Sequence, residues 1–374
     1  MGAMKGKGHF MECVVCAGDG FGASALSRRE FAIGGGCFIS GLLAASAGMP
    51  QDRPLLRLAL MSDPHVDDRG SPSIGFLKSA FAFAAEREVD GVLIAGDVAN
   101  NGRDSELKLV ADAWFSVFPG GRNASGRPVK IYACYGNRDF RDSSITKPEE
   151  KAAEAAISIF SHPSASWERC FGEPIGDDFC MKEICGYKVV IAHWRHEQKV
   201  DAFFEKLRGK IRRDETFFYV QHPHLQDTVF FHRVSADNGA STRMLSAYPN
   251  AIALSGHSHR SISDEHALWR GKFTSIAGGC VFGATRDGTG PLQRTNRELS
   301  LLSLHRNQVL IERWDFMRRE RLGPDWSLAR PFEGNVAAPW GDGSFPVTPI
   351  RPKSKVLNKG AAVKAKAPCN VSSV

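Results

Sequence analysis

The chain of 374 residues has no evident internal repeat, and its amino-terminal apolar stretch is short. Without a repeat, solenoids and other stacked-repeat architectures are excluded. The apolar stretch covers residues 33–47 and holds about fifteen apolar and small residues, whereas a transmembrane helix needs about 20. A membrane anchor is therefore disfavoured. The stretch ends in Ala45-Ser46-Ala47, a small-residue pattern typical of a cleavage site.

Acidic residues are missing from residues 351–374, which hold six lysines and arginines. Residues 1–47 add one further net positive charge, so the formal net charge of +7 leaves the middle of the chain neutral. A basic end rich in Lys, Ala and Pro is typical of a solvated tail. The sequence therefore predicts no specific nucleic-acid recognition, and residues 351–374 are interpreted as a basic disordered tail.

A cysteine-based zinc motif is also missing, because Cys13-x-x-Cys16 stands alone and four ligands are needed. Cys170, Cys180 and Cys185 lie close enough in sequence to form a disulfide in an oxidising compartment, although spacing does not define the pairing. Cys134 lies within a predicted strand and is interpreted as a small buried hydrophobic residue.

The segment before the apolar stretch carries an export signature. Ser27-Arg28-Arg29-Glu30-Phe31 resembles a twin-arginine motif. Together with the short apolar run, it predicts that residues 1–47 form an export signal that is removed after use. We therefore expect a periplasmic or secreted protein with only transient contact to the export machinery. An ordinary leader or a misassigned start is the alternative.

Hydrophobic residues make up 43% of the chain, enough for a large folded core. Short apolar runs bounded by Gly, Pro or polar residues predict buried strands at residues 55–61, 89–95, 129–134, 187–192, 216–220 and 251–254. Helical stretches alternate with them at residues 74–88, 104–118, 149–160 and 198–209. This alternation predicts one α/β domain over residues 53–315, with two packed sheets and helices outside, followed by a C-terminal extension over 316–350.

Five short motifs follow strands in a fixed order: Asp63-x-His65, Gly96-Asp97, Gly136-Asn137-Arg138-Asp139, His222-Pro223 and Gly256-His257-x-His259. Ligand sites of α/β sheets collect at the carboxyl ends of strands, because several strand ends aim loop side chains at one point. Imidazoles, carboxylates and an amide oxygen together form a ligand set for two divalent cations. The pattern predicts a two-metal hydrolase.

The ordered motifs D-x-H, G-D-x-x-x-x-G, G-N-x-D, H-P and G-H-x-H resemble those of the calcineurin-like metallophosphoesterase superfamily over residues 53–313. The resemblance implies a four-layer sandwich of two mixed β-sheets flanked by helices. It also implies two metal positions that share one bridging carboxylate, Asp97. The first position takes Asp63, His65 and His259, and the second takes Asn137, His222 and His257. Nitrogen and oxygen ligands of this kind suit Mn, Fe, Zn or Ni.

Two such ions, roughly 3.5–4 Å apart, can acidify a shared water and stabilise the attacking and leaving oxygens of a phosphoryl group. The expected reaction is hydrolysis of a phosphomonoester or phosphodiester by a hydroxide that bridges the metals. The expected substrate is a phosphate-ester small molecule or a phosphorylated polymer. Asn137, Arg138 and Asp139 are the candidate catalytic residues, and Asp139 is expected to orient Arg138 or a group in the outer shell around the metals.

Arg138 stands where most members of the superfamily have histidine. Arginine keeps its charge, so it cannot act as a general acid, but it can hold a phosphate oxygen by two hydrogen bonds. This favours a leaving group that departs without strong protonation. Gly136 to Phe140 also resembles the motif of the UDP-diacylglucosamine hydrolases, which cleave a pyrophosphate. Hydrolysis of nucleotide-linked pyrophosphates is therefore one alternative function, and a metal-stabilised binding protein without turnover is another.

The histidine ligand after Asn137 is open between two residues, His193 and His222, because each follows a predicted strand. His222 is preferred, since Pro223 follows it and it lies a short βα step before Gly256. Candidates for the pocket rim, with a polar loop as the alternative, are then His193, Arg195 and His196.

Other residues carry weaker assignments. Asn100 belongs to a turn that can also face the metals. His224 and His232 are expected to be solvated loop histidines. Four aromatic residues could stack on an organic group but more often occupy a core: Trp194, Phe230, Phe231 and Trp269. The sequence does not define an oligomeric state.

Overall fold

The computed structural model of the protein describes residues 53–140, 162–194, 199–232, 237–285 and 296–329. The predicted export signal, the predicted helix over residues 149–160 and the basic tail lie outside these ranges. None of the described helices combines the length and apolar character that crossing a membrane requires.

The described strands, in chain order, are β1 (Leu56–Ser62), β2 (Gly91–Ala95), β3 (Lys130–Cys134), β4 (Phe179–Ile184), β5 (Tyr187–Ala192), β6 (Phe217–Val220), β7 (Ala251–Ser255), β8 (Leu268–Arg270), β9 (Thr274–Ala277), β10 (Gly279–Cys280), β11 (Glu298–Leu304), β12 (Gln308–Asp315), β13 (Glu320–Arg321) and β14 (Trp326–Ala329). The α-helices are α1 (Ser73–Glu86), α2 (Asp104–Val117), α3 (Pro163–Phe171), α4 (Val200–Leu207) and α5 (Ala240–Leu245).

The strands form two mixed sheets. The first has eight strands, with the order β13-β12-β11-β1-β2-β3, while β10 also pairs with β1 and β14 with β12. The second has six strands in the order β4-β5-β6-β7-β9-β8. Within them β1, β2 and β3 are parallel, as are β5, β6, β7 and β9, whereas β11 and β12 are antiparallel. The two-sheet α/β fold predicted from the sequence is confirmed.

Side-chain alternation divides the core into layers. In β6, Phe218 and Val220 belong to the large core shared with the first sheet, whereas Phe217 and Tyr219 pack with α4 and α5 on the other face. This follows from the period of two along a strand, which sends neighbouring side chains to opposite faces. Because both faces of β5, β6 and β7 are covered, these strands are apolar along their whole length. Helices α1 and α2 contribute to the core on the first sheet, and the result is a four-layer sandwich.

The predicted strands and helices agree with the observed ones to within two residues wherever the structure describes them. Helices α3 and α5 and several strands were not predicted, namely β4 and β8 to β14. The last of these, β14, pairs with β12 and buries Trp326, so the sheet continues into the stretch interpreted as a C-terminal extension.

Candidate metal centre

The loops that follow β1, β2 and β7 hold their polar residues in left-handed backbone conformations. The φ angles are 52° at Asp63, 50° at Asp97 and 72° at His257, with 45° at His65 and 54° at His259. Such conformations cost about 1–3 kcal/mol each for residues other than glycine and persist where surrounding contacts impose them. Backbone hydrogen bonds between the loops supply that constraint, since Asp63 N donates to Gly96 O at 3.0 Å and His65 N to Asp97 O at 3.0 Å.

Glycines let these loops approach one another. A Cβ atom on Gly96, whose φ is 82°, would lie 2.3 Å from His222 Nδ1. A Cβ atom on Gly136 would lie 2.3 Å from Asp97 Oδ1. The glycine in each motif therefore makes room for a neighbouring polar side chain of the site.

The buried carboxylate of Asp63 faces three imidazoles. Its Oδ1 lies 3.2 Å from His259 Nε2, 3.7 Å from His65 Nε2 and 3.9 Å from His222 Nε2. Asp63 is fully buried, and this oxygen has no hydrogen-bond partner among the described residues. A buried charged oxygen without a donor is costly, so the position calls for a cation.

Asp97 extends one oxygen toward each side of the cluster. Its Oδ1 lies 3.3 Å from His222 Nε2, and its Oδ2 lies 3.6 Å from His65 Nε2. The backbone N–H of Arg138 also donates to Oδ1 at 2.8 Å. This is the placement that a carboxylate bridging two ions requires.

The ring of His222 is held so that its Nε2 faces other hydrogen-bond acceptors. Its Nδ1 lies 2.7 Å from the carbonyl oxygen of Ala95, which can only accept, so Nδ1 carries the proton of the neutral ring. In the neutral form that a metal requires, the opposite nitrogen, Nε2, offers its lone pair, and it lies 3.2 Å from Asn137 Oδ1. An acceptor facing acceptors at this distance fits a bound cation between them.

The pKa shifts of the site also favour a bound cation. Burial alone would raise the pKa of the Asp63 carboxyl, but the imidazoles of His259, His65 and His222 hold it well below its usual range. Burial would lower the pKa of His222, yet the carboxylates of Asp97 and Asp63 raise it to about 9. Both shifts describe a strongly negative pocket that positive charge stabilises. Bound divalent cations would supply that charge.

Asp139 links two loops and does not face the cluster. Its Oδ1 accepts a hydrogen bond from Ala99 N at 2.7 Å, and its Oδ2 accepts from Val98 N at 3.1 Å and from Gly136 N at 2.7 Å. It therefore ties the loop after β2, which carries Asp97, to the loop after β3, which carries Asn137. A positioning role for Asp139 follows directly from these contacts.

A cavity of about 210 Å³ opens beside the cluster. Asn100 lines it, in agreement with the prediction that this turn residue can face the metals, and donates through Nδ2 to Asp67 Oδ2 at 2.9 Å. Phe282 also lines it and was missed, because no motif marks it; it packs edge-on against His65. The lining residues are His65, Asp97, Asn100, Asn137, Arg138, His257, His259 and Phe282.

The structure brings His222, rather than His193, to the cluster. His193 is fully buried, accepts a hydrogen bond from Tyr135 N through Nδ1 at 2.9 Å, and has its Nε2 3.2 Å from Ile175 O. The interpretation of His193 as a rim residue is therefore wrong, because both ring nitrogens are used within the core. Arg195 and His196 lie outside the described residues.

Three further expectations concern His224, His232 and Trp194. His224 is buried rather than solvated, and its ring lies between the hydroxyls of Ser255 and Ser258 at 2.8 and 2.7 Å. The side chain of His232 is outside the described part. Trp194 lies against His222 and His257, with ring centroids 5.9 and 5.5 Å apart, and so borders the cluster.

The described cysteines are all free thiols, so the disulfide considered among Cys170, Cys180 and Cys185 is not formed. Cys134 is fully buried, as its interpretation as a small hydrophobic residue required.

Comparison with known proteins identifies the fold. The family model described as calcineurin-like phosphoesterase matches residues 56–261, more than half of the chain. The chain belongs to the calcineurin-like phosphoesterase family. Metal-dependent hydrolysis of phosphate esters is the general chemistry of this family, and the clusters Asp97–His222–His257 and Asp63–His65–Asp97 are candidate metal-binding groups in this member.

Several solved structures resemble this calcineurin-like phosphoesterase at low identity. A dimetal phosphatase from Danio rerio is 12% identical over 74% of this chain and 100% of its own, with a TM-score of 0.48. A purple acid phosphatase from yellow lupin, Lupinus luteus, is 14% identical over 74% of this chain and 54% of its own, with a TM-score of 0.49. A phosphoesterase from E. coli is 12% identical over 73% and 99%, with a TM-score of 0.34. No curated protein matches the chain.

Proposed function

We propose that this protein hydrolyses phosphate esters at a binuclear metal centre. The observation that carries the proposal is the cluster of facing acceptors, above all the buried, unpartnered Asp63 Oδ1, with three imidazole nitrogens between 3.2 and 3.9 Å away. Carboxylate, amide and imidazole acceptors converge in this way where a cation between them replaces the protons of the imidazoles.

The geometry supports a specific division of ligands. Asp63, His65 and His259 would hold one ion, while Asn137, His222 and His257 would hold the other. Asp97 would bridge them, because its two oxygens lie toward His222 and His65 respectively. Two divalent ions held there would lower the pKa of a water molecule and stabilise the attacking and leaving oxygens of phosphoryl transfer. Mn, Fe, Zn and Ni all suit this donor set.

Arg138 is the residue best placed to bind the phosphoryl group. It lines the cavity, and its backbone is fixed to the centre by the hydrogen bond from its N–H to Asp97 Oδ1. A guanidinium group there can bind two phosphoryl oxygens and stabilise the negative charge that develops on them. It cannot protonate a leaving group, so good leaving groups are favoured.

The same placement supports a second candidate, hydrolysis of a nucleotide-linked pyrophosphate. Its leaving group is itself a phosphate, which departs without strong protonation. An assay that compares aryl phosphomonoesters, aryl phosphodiesters and nucleotide diphosphate sugars, each with Mn, Fe, Zn or Mg, separates these substrate classes. Retained metal with no turnover on any of them would favour a binding protein instead.

The central prediction concerns Asp97→Asn. Replacing one bridging oxygen by an amide nitrogen removes a ligand from the centre, so we expect the loss of bound metal together with at least a 100-fold loss of hydrolysis. Metal analysis and kcat/KM on the best substrate measure both. Asp112→Asn is the matched control, because Asp112 is exposed on α2 and pairs with Lys108. Full turnover by metal-free protein would refute the proposal.

We also propose that the enzyme acts in the periplasm or outside the cell. The support is the twin-arginine-like motif and short apolar run within residues 1–47. An exported phosphoesterase would act on small phosphate esters or phosphorylated polymers that it meets there.

A further inference from the structure

Cys280 lies against one half of the proposed metal centre. Together with Asp63 and His259 it forms a group in which one ligand atom from each residue lies within 4.8 Å of the other two. The cysteine is 1% exposed and is a free thiol. Among the residues that the structure describes, it is the one cysteine that belongs to a cluster of possible metal ligands.

The fold fixes this thiol in place. The short strand β10 pairs in parallel with the end of β1, so that Cys280 is the register partner of Ser62, the residue before Asp63. The pairing continues past the strands, because Val281 N donates to Ser62 O at 3.0 Å and Phe282 N to Asp63 O at 3.1 Å. On the other side β10 is pressed against β11, since a Cβ atom on Gly279 would lie 2.4 Å from the Glu298 carbonyl.

A second observation points to a ligand at this position. Asp63 Oδ1 is buried without a hydrogen-bond donor among the described residues, and it lies 3.2 Å from His259 Nε2. Zinc bonds nitrogen at about 2.0–2.1 Å and sulfur at about 2.3 Å, so its ligands lie roughly 3.5 Å apart in a tetrahedral site. The cluster of carboxylate, imidazole and thiol is compact enough to meet that spacing.

We propose that Cys280 supplies a sulfur ligand to the ion held by Asp63, His65 and His259. This proposal rests on the proposed metal centre and adds one ligand to one of its two ion positions. When the ion binds, a metal–sulfur bond forms and the thiol proton leaves to solvent, with no change of oxidation state. Thiolate ligands favour Zn or Fe and disfavour Mg, so the two positions of the centre differ in metal preference.

The thiol can be tested by cobalt substitution of the full chain. Co²⁺ bound to a thiolate shows a sulfur-to-metal charge-transfer band in the near ultraviolet, in addition to the visible bands of the ion. We expect this band in the wild type, its loss in Cys280→Ser and Cys280→Ala, and its retention in Cys185→Ser. Cys185 is the matched control because it is an exposed free thiol. Serine keeps an acceptor for Gly283 N, which donates to the sulfur at 3.4 Å.

A second measurement requires no variant. X-ray absorption of the zinc-loaded wild type should show one sulfur neighbour at about 2.3 Å.

In the Cys280→Ser and Cys280→Ala variants we expect zinc affinity to fall at least about tenfold, with magnesium affinity unchanged, since even outer partners of a metal site contribute about 10–100-fold.

Two different results would overturn the proposal. If cobalt binds without the charge-transfer band and zinc binds without a sulfur neighbour, Cys280 is not a ligand, although the proposed binuclear centre is not contradicted. If the wild type binds no cobalt, or if the Asp97→Asn variant binds cobalt as well as the wild type does, the proposed binuclear centre is itself contradicted.

Discussion

His193 and His222 each follow a strand of the second sheet, yet only His222 meets Asp97. The difference lies in which strand of the first sheet each one faces. His222 follows β6 and donates through Nδ1 to Ala95 at the end of β2, whereas His193 follows β5 and bonds Tyr135 just beyond β3. One strand of lateral displacement therefore decides whether the histidine joins the candidate metal-binding cluster or packs in the core. This displacement depends on how the two sheets pack, which local sequence does not encode.

The buried position of His193 makes stability depend on pH. Burial lowers the pKa of His193 to about 4 from an ordinary value near 6.5. The folded state therefore takes up this proton less readily than the unfolded state, and stability present above pH 6.5 is lost as the pH falls toward 4. Between pH 7.5 and pH 5, we expect the free energy of unfolding to decrease by about 2 kcal/mol less in His193→Gln than in the wild type.

Urea denaturation of both proteins at the two pH values measures this effect. His266→Gln is the control, since His266 is only partly buried beside Asp264. Identical pH dependence in the wild type and His193→Gln would contradict the assignment.

At the scale of elements, the turns after the strands carry the site. The turn after β2 brings Gly96 against the His222 ring, and Asp139 ties that turn to the one after β3 through Val98, Ala99 and Gly136. The residues of the proposed centre are therefore held by contacts among turns of different strands, so a disturbance of one turn is expected to reach its neighbour.

Gly96→Ala tests this coupling against a matched glycine. Gly96 and Gly186 have φ angles of 82° and 81°, but a Cβ atom meets the His222 ring only at Gly96 and finds nothing within 4 Å at Gly186. Both substitutions carry a left-handed backbone penalty of about 1–2 kcal/mol. We expect Gly96→Ala to cost about 1–3 kcal/mol more, and to lower metal content, because His222 must move.

Denaturation of the metal-free proteins and metal analysis of the loaded ones supply the two readouts. Equal destabilisation by the two substitutions, with metal content unchanged, would show that the turn is not packed as described.

Six parallel strands and the residues at their ends could be predicted from the sequence, because these buried strands are continuous apolar runs that end at Gly, Asp, Asn or His. They are β1, β2, β3, β5, β6 and β7. The antiparallel strands and the short parallel strands β9 and β10 could not be predicted. In β12 the buried face includes Arg313, whose guanidinium lies 4.0 Å from the Trp326 ring, and a charged residue at a core position interrupts the alternation that marks a strand. Phe282 and Cys280 were not predicted as residues of the site for another reason. They reach the site only through the pairing of β10 with β1, two segments more than two hundred residues apart.

At the scale of the whole molecule, the proposed location can be tested through the amino terminus. Twin-arginine signals are addresses read by a receptor, so the two guanidinium groups should be needed together. We expect the double variant Arg28→Lys and Arg29→Lys to remain in the cytoplasm of a host that has this pathway, with at least a tenfold decrease in the exported fraction.

Cell fractionation followed by immunodetection measures that fraction. Lys5→Arg is the control, because it keeps the charge of the segment and lies outside residues 27–31. Undiminished export of the double variant would contradict the signal assignment.

The proposed ligands Asp63 and His259 are almost two hundred residues apart in the chain, and β1 is paired on one side with β11, which begins only at Glu298. A nascent chain on the ribosome therefore lacks the pocket until nearly the entire domain has emerged. If the proposed centre binds its ions, it can do so only in the last stage of synthesis, and a prematurely terminated chain would lack the complete ion-binding pocket.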